Sequence, residues 1–183
     1  MRHSTRFPIL DRETQDEVPL TPEGIELAKE LGKYLGERYS PGRLYASMVN
    51  RCVVTAESIA MGAGWQAAVQ TDVRLTHPYI RESWHGLPAY VRSDPLPAQV
   101  YELVDLLKED LTRPGQINLY VTHDTIIGTM VGYLLGEAVN EFSWPTFLEG
   151  IALWLEGDSV MLAWRSVTED ITTLVEVIET KGD

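Results

Sequence analysis

The sequence predicts an α/β layered domain with a largely parallel sheet. Short apolar runs alternate with amphipathic segments of ten or more residues, which is typical of strands that alternate with helices. The length of 183 residues fits one domain over residues 1–183, and 44% hydrophobic with 23% charged residues is the composition of a globular protein. The single cysteine, Cys52, excludes an internal disulfide framework.

Four segments have the pattern of helices. In LTPEGIELAKELGKYLGERY we expect Thr21 at the N-cap and Pro22 in the first turn. The buried stripe of this helix is expected to consist of Ile25, Ala28, Leu31 and Leu35. The segment NRCVVTAESIAMGA is expected to be a helix capped by Asn50. PAQVYELVDLLKEDL is the third helix, and DTIIGTMVGYLLG is the fourth, with its end at Gly136.

The strands predicted from the sequence are shorter. RLYAS and INLYVT are apolar runs, and GIALWLEGDSVMLAW predicts a hairpin around Gly157-Asp158. Residues 74–96 lack periodicity and are expected to form a loop or lid, whereas ITTLVEVIET could be either strand or helix. Because ligands bind beyond the carboxyl ends of parallel strands, three polar clusters at strand-to-helix junctions are of interest. They are RHSTR, ASMVNR and VTHDT.

The net charge of −12 limits the classes of partner. It argues against a nucleic-acid binder, whose affinity would depend on many Lys and Arg side chains that neutralise phosphates. No apolar run approaches the length of a membrane helix. A small anionic substrate remains compatible with this charge if the basic groups are concentrated in one cleft.

Each polar cluster has an ordinary structural explanation when it is taken alone. RHSTR could be a solvated basic terminus, Arg51 an exposed arginine on a helix, and His123 a loop residue before a capped helix. Together the clusters supply what phosphoryl transfer to a histidine requires. The requirements are an imidazole nucleophile, arginines that neutralise the phosphoryl oxygens, and a carboxylic acid that protonates the leaving alcohol. The candidate residues are Arg2, His3, Arg6, Arg51, His123 and Asp124.

The stretches RHSTRFPI, LTPEG, YASMVNRCVVTAES and THDT resemble, in this order, the motifs of the histidine phosphatase superfamily. The resemblance runs from residue 2 to about residue 135 and looks best to the acid-phosphatase and phytase branch. It implies a phosphoglycerate mutase-like fold, which is a three-layer αβα sandwich. It also implies a phosphatase that hydrolyses phosphomonoesters through a phosphohistidine intermediate, without a metal or organic cofactor.

The resemblance also implies roles for single residues. His3 would be the nucleophile, His123 the second histidine at the phosphate, and Asp124 the proton donor. The phosphate clamp would consist of Arg2, Arg6 and Arg51. Glu82, in RESWHG, is an alternative proton donor because the mutase-like branch takes its acid from a similar stretch. The ordinary structural interpretation of Glu82, which the sequence favours, is a surface carboxylate paired to Arg81.

Two departures from the family pattern bear on the expected site. Ser4 replaces the motif glycine, so a side chain there could crowd the pocket or change the backbone geometry. The family's Arg-His pair follows a central strand, but only Met1 precedes the pair here, so the first strand is expected to be missing from this sequence.

Two other functions stay open beside the phosphatase. They are a phosphomutase of the same fold and a non-catalytic phosphate- or anion-binding module. The expected partner is a small phosphorylated substrate, with no nucleic acid and no membrane, and the expected location is the cytoplasm.

Overall fold

The computed structural model of the protein describes most of the chain. The described residues are 1–11, 13–76, 98–108, 111, 115–136 and 144–174. They belong to two compact units. The first comprises Met1–His77, Arg113–His123 and Thr146–Glu149, and the second comprises Pro78–Thr112, Asp124–Pro145 and Gly150–Asp183. The single domain expected over residues 1–183 stays a prediction.

The first unit contains a parallel sheet of three strands. They are β1 (Ser40–Ala46), β2 (Val69–Thr71) and β3 (Gln116–Val121). The order is β2-β1-β3, so β1 is central. The first residues of the chain run parallel to the end of β3. The Thr122 N–H donates to the Met1 carbonyl at 2.8 Å, and the His3 N–H donates to the Thr122 carbonyl at 2.9 Å. The predicted α/β class with a parallel sheet is confirmed.

Two helices belong to the first unit, α1 (Pro22–Gly36) and α2 (Asn50–Ala63). The predicted N-cap of α1 is confirmed, because the Thr21 hydroxyl oxygen accepts from the Gly24 N–H at 3.0 Å. The predicted cap of α2 is wrong. Asn50 is already the first helical residue, Val49 stands at the N-cap, and no side chain caps the helix.

The buried face of α1 differs from the expected stripe of large apolar residues. Gly24, Ala28 and Gly32 are buried, whereas the expected Ile25, Leu31 and Leu35 are only half-buried. The reason is the close approach of the two helix backbones. A Cβ atom at Gly32 would lie 2.1 Å from the Ile59 carbonyl oxygen, and one at Gly62 would lie 2.0 Å from that of Lys29. Small residues therefore form the contact between α1 and α2.

The core of the first unit lies between the sheet and these helices. It consists of buried side chains from α1, β1, α2 and β3 together with Trp65. Leu44, Ala46 and Val121 contribute from the sheet, and Cys52 and Ile59 contribute from α2. This packing fixes the carboxyl ends of β1 and β3 against the start of α2.

The second unit contains two helices and an antiparallel sheet. The helices are α3 (Ala98–Lys108) and α4 (Asp124–Leu134), and the strands are β4 (Ala152–Glu156), β5 (Ser159–Trp164) and β6 (Val167–Asp170). The predicted hairpin is confirmed, with Gly157 at a φ of 63° in the turn between β4 and β5. β6 was not predicted from the sequence, and it pairs antiparallel with β5.

Some predicted segments fall outside the described residues. These include most of the expected loop or lid at 74–96 and the greater part of ITTLVEVIET. The fourth helix ends at Leu134, two residues before the expected Gly136. Among the helices that the structure describes, none has the length and apolar character needed to cross a membrane.

Candidate active site

Three of the residues expected at the site come together at the carboxyl edge of the parallel sheet. His3 lies beside the end of β3, His123 follows that strand, and Arg51 is in the first turn of α2. The ring centroids of His3 and His123 are 5.7 Å apart. All three residues belong to the first unit. The polar clusters that the sequence places at separate junctions therefore form one site.

Arg51 joins the two histidines. Its Nε donates to His3 Nε2 at 3.1 Å, and its Nη2 donates to His123 Nδ1 at 3.4 Å. The other side of the guanidinium meets a 3₁₀ turn at Gln15–Glu17, where Nη1 donates to the Gln15 carbonyl at 2.8 Å. Asp16 Oδ1 lies 3.6 Å from Nη2. Only 6% of the arginine is exposed, so the interpretation of Arg51 as a surface residue is wrong.

His3 has the protonation state that a nucleophile needs. A carbonyl oxygen can only accept, so the 2.8 Å contact with the Ser4 carbonyl requires a proton on His3 Nδ1. The lone pair is then on Nε2, the atom that faces Arg51. Burial is the main cause that lowers the pKa of His3 to about 2, and the charge of Arg51 contributes in the same direction. His3 is therefore neutral at ordinary pH.

Arg2 is buried near His3 and packs on an aromatic ring. Its Cζ atom lies 4.2 Å from the centroid of the Phe147 ring, which is 5.7 Å from the His3 ring. Backbone hydrogen bonds hold this segment in place, since the Leu148 N–H donates to the His3 carbonyl and the Arg2 N–H donates to that of Glu149. No sequence pattern indicated Phe147, which lies in an irregular segment far along the chain.

Ser4 does not crowd the site, contrary to the effect considered from the sequence. Its hydroxyl donates to the Gly24 carbonyl at 2.7 Å, so the side chain is engaged by α1. Its N–H donates to the Thr55 hydroxyl at 3.0 Å, and that hydroxyl donates to the Arg51 carbonyl. Gly24 makes this approach possible, because a Cβ atom there would lie 2.1 Å from the Thr5 carbonyl oxygen.

The contacts described for the remaining candidates are with their own neighbours in the chain. Arg6 is half-buried and its Nη1 donates to the Phe7 carbonyl, so its place in the phosphate clamp stays a prediction. Asp124 begins α4 in the second unit, and its Oδ1 accepts from the Thr125 N–H at 2.9 Å. Glu82 lies outside the described residues. The choice of proton donor therefore stays a prediction.

The described contacts place one buried cation between two imidazole rings. A neutral imidazole nitrogen faces a buried guanidinium, and a second imidazole lies on the other side of that cation. Arginine in such a position neutralises phosphoryl or carboxylate oxygens. Within the described ranges, no group of three or more His, Cys, Asp or Glu side chains is placed to bind a metal ion.

Comparison with known families agrees with this class of site. Residues 2–95 match the model of the histidine phosphatase superfamily (branch 1). The match covers about half of the chain and includes His3 and Arg51. The chain therefore belongs to the histidine phosphatase superfamily. No curated protein matches the chain.

Solved structures share the fold. The protein histidine phosphatase SixA complexed with tungstate has a TM-score of 0.60 and 18% identity, over 95% of this chain and 96% of that chain. Mycobacterial hydrolase 1 has a TM-score of 0.59 and 17% identity, with 90% and 96% covered. A mycobacterial glucosyl-3-phosphoglycerate phosphatase has a TM-score of 0.55 and 19% identity, with 88% and 87% covered. At these identities the similarity shows the fold, and the expected phosphoglycerate mutase-like fold is confirmed.

Proposed function

We propose that this protein is a phosphatase that hydrolyses phosphomonoesters through a phosphohistidine intermediate. The observation that carries the proposal is the contact between the buried, neutral His3 and Arg51, with the His3 Nε2 lone pair directed at the guanidinium. Membership of the histidine phosphatase superfamily supports it. Two of the proteins that share this fold, SixA and the mycobacterial glucosyl-3-phosphoglycerate phosphatase, are phosphatases.

The proposed reaction has two steps. In the first, His3 Nε2 attacks phosphorus, the ester P–O bond breaks, and the leaving alcohol takes a proton from an acid. In the second, water attacks the phosphohistidine and releases inorganic phosphate. Arg51 neutralises the phosphoryl oxygens throughout, because its planar guanidinium pairs two oxygens and keeps its charge. We assign Arg2 and Arg6 to the same clamp.

We assign the proton donor to Asp124, which directly follows His123 in the chain. The alternative is Glu82, and the choice also decides the finer placement in the acid-phosphatase branch, which only the sequence motifs support. Loss of the true acid should impair alkyl phosphates far more than aryl phosphates, because a phenolate leaves without a proton and an alkoxide does not. Asp124→Asn and Glu82→Gln are to be compared on both substrate types. A leaving-group dependence seen only in Glu82→Gln would contradict the assignment.

The decisive experiment is replacement of the nucleophile. His3→Ala is expected to abolish hydrolysis of a small aryl phosphate, and rapid quenching of the wild type should trap an acid-labile, base-stable phosphate on His3. Glu26→Gln, on the exposed face of α1, is the matched control and should keep full activity. Phosphate mapped to His123, or near-normal activity in His3→Ala, would contradict the proposal.

The same assay separates the other functions. Transfer of the phosphoryl group to a second hydroxyl without release of phosphate would identify a phosphomutase. Phosphate binding without turnover of any phosphomonoester would identify a binding module. The expected substrate is a small phosphorylated molecule, and we place the protein in the cytoplasm.

A further inference from the structure

His123 is connected to two hydroxyl groups that have no role in the reaction proposed above. Its Nε2 lies 2.8 Å from Ser47 Oγ, and Ser47 Oγ lies 3.2 Å from Thr76 Oγ1. Thr76 Oγ1 in turn lies 3.4 Å from the Asp72 carbonyl oxygen. We call Ser47 and Thr76 the hydroxyl relay. Ser47 is fully buried at the end of β1, and the whole relay belongs to the first unit.

The direction of each hydrogen bond in the relay follows from its ends. The Asp72 carbonyl can only accept, so the Thr76 hydroxyl donates to it. Thr76 Oγ1 has then used its one proton, and it accepts from the Met48 N–H at 2.7 Å and from the Ser47 hydroxyl. Ser47 Oγ has likewise used its proton and must accept from His123. The relay therefore requires a proton on His123 Nε2.

The opposite side of the His123 ring leads to the same tautomer. Arg51 has no acceptor, so the contact between its Nη2 and His123 Nδ1 requires a lone pair on Nδ1. The Cys52 thiol donates to the Thr122 carbonyl, so its sulfur is left to accept weakly from His123 Nε2 at 3.7 Å. Three neighbours of the ring thus agree that Nε2 carries the proton and Nδ1 does not.

We propose that the hydroxyl relay is a positioning device that holds His123 as the Nε2–H tautomer, with its unprotonated Nδ1 directed to the phosphoryl site. Arg51 contacts both His123 Nδ1 and His3 Nε2, so both lone pairs face the same guanidinium. This inference rests on the proposed function for its catalytic consequence but not for the tautomer itself. Ser47 and Thr76 act through His123 and are positioning residues.

The tautomer has a consequence for the proton balance of phosphate binding. An unprotonated Nδ1 would repel a phosphoryl oxygen, so His123 can donate to the ligand only after Nδ1 gains a proton. Dihydrogen phosphate, the monoanion, supplies that proton: its O–H bond breaks, Nδ1–H forms, and the phosphate becomes the dianion. The relay tolerates the imidazolium, because Ser47 Oγ continues to accept from Nε2–H. The hydrogen bond from Arg51 Nη2 to Nδ1 breaks in this step, and that N–H donates to the phosphate dianion instead. Binding is then an ion pair formed by proton transfer within the site.

The tautomer can be measured directly by ¹⁵N NMR of the imidazole nitrogens in the wild-type protein, with the His123 signals identified by their loss in His123→Gln. We expect Nε2 to be protonated and Nδ1 unprotonated. On addition of inorganic phosphate, Nδ1 should become protonated while Nε2 keeps its proton. A ligand-free wild-type ring with the proton on Nδ1 would overturn the inference, as would a bound state in which Nδ1 stays unprotonated.

A pair of matched variants tests the role of the relay. Thr76→Val removes the hydroxyl at nearly constant volume and should give a mixture of His123 tautomers, whereas Thr76→Ser should restore the Nε2–H form. We expect kcat/KM to fall by about 10- to 100-fold in Thr76→Val, the range seen when groups that orient metal-bound histidines are removed. Thr76→Ser should recover most of it. Equal losses in both variants, or wild-type spectra and kinetics in Thr76→Val, would overturn the positioning role.

Failure of this inference and failure of the proposed function give different results. If the wild type shows the expected tautomer and phosphate-linked protonation but hydrolyses no phosphomonoester, the relay stands and the phosphatase assignment is wrong. If His3→Ala abolishes turnover while the wild-type Nδ1 carries the proton in the absence of ligand, the phosphatase stands and the relay is wrong.

Discussion

Arg51 is the side chain on which the candidate site depends most. It is buried, and it donates to both His3 Nε2 and His123 Nδ1. Arg51→Ala is expected to lower kcat/KM by on the order of 10²-fold or more, by analogy with the loss of an oxyanion donor. Arg51→Lys should recover only part of the lost kcat/KM, because an ammonium group cannot pair two oxygens in one plane. Steady-state hydrolysis of an aryl phosphate measures both, and full activity in Arg51→Ala would contradict the assignment.

Under the proposed function, Asp16 would compete with the anionic ligand for the Arg51 guanidinium. Its Oδ1 is 3.6 Å from Arg51 Nη2, and the side chain is 58% exposed. Asp16→Asn should therefore tighten binding of inorganic phosphate, but by no more than about fivefold, since exposed ion pairs contribute roughly 0.2–1 kcal/mol. Product inhibition by phosphate is to be measured at low and high salt. The difference in phosphate affinity between the wild type and Asp16→Asn should be smaller at high salt. The neighbouring Glu17→Gln serves as control, and weaker binding in Asp16→Asn would contradict the expectation.

Residue types and their neighbours along the chain were enough to predict that the two histidines and Arg51 lie close together. The reason is that each stands in a short polar cluster at the end of a strand, and parallel strands bring such ends together. Gln15 contacts Arg51, and Phe147 contacts Arg2. Both contacts come from irregular segments whose course no local pattern predicts. Contacts of this kind arise only when the whole first unit is assembled.

At the scale of elements, the contact between α1 and α2 depends on the close approach of the two backbones. The Gly32 position is set against the Ile59 carbonyl, where an added Cβ would lie at 2.1 Å. Gly32→Ala is expected to lower the free energy of unfolding by about 1–3 kcal/mol, because overpacking outweighs the gain of about 1 kcal/mol in helix propensity. Urea unfolding measures this change. Glu26→Ala, on the exposed face of α1, should stay within about 0.5 kcal/mol, and an unchanged or increased stability in Gly32→Ala would contradict the close packing.

Helix α1 also illustrates where sequence patterns mislead. Its apolar spacing predicted a buried stripe of Ile25, Ala28, Leu31 and Leu35. Only Ala28 is buried, and the other three side chains are half-buried. A periodic pattern identifies the helix and its cap, but the distance between two helices depends on both partners. Here Gly62 of α2 meets Lys29 of α1 so closely that only small residues fit. The short strands β2 and β6 were missed for a related reason, since three or four residues carry too little periodicity.

At the scale of the whole molecule, burial of His3 makes stability depend on pH. The pKa of His3 is lowered from 6.5 to about 2, mainly by burial, so the folded chain keeps it neutral where the unfolded chain protonates it. The stability that depends on neutral His3 is present in full above pH 6.5 and is lost as the pH falls toward 2. The expected slope approaches about 1.4 kcal/mol per pH unit.

A comparison with a variant that cannot titrate isolates this effect. Free energies of unfolding for the wild type and His3→Gln are to be measured by urea between pH 7 and pH 4. Between these limits the wild type should lose more stability than His3→Gln, whereas parallel pH profiles would show that His3 is protonated in the folded protein.

The net charge allows a small anionic substrate only if the basic groups are concentrated in one place. The folded arrangement of Arg2 and Arg51 agrees with this condition. The chain carries a net charge of −12, yet Arg2 and Arg51 are both buried in the first unit around His3. The α/β class and the parallel sheet followed from the alternation of strands and helices. The division into two compact units could not be predicted from the sequence, because Arg113–His123 and Thr146–Glu149 join the first unit from distant parts of the chain.

The contacts that Arg51 makes with Gln15, His3 and His123 have a thermodynamic consequence. A free arginine side chain loses about 1.5–2 kcal/mol of conformational entropy when it is ordered. In this protein that loss occurs when the chain folds, so under the proposed function the phosphate would meet a guanidinium already fixed in one rotamer. Substitutions that loosen the turn at Gln15–Glu17 would transfer this entropy loss to the binding step. Such substitutions would weaken phosphate affinity without touching the ligand.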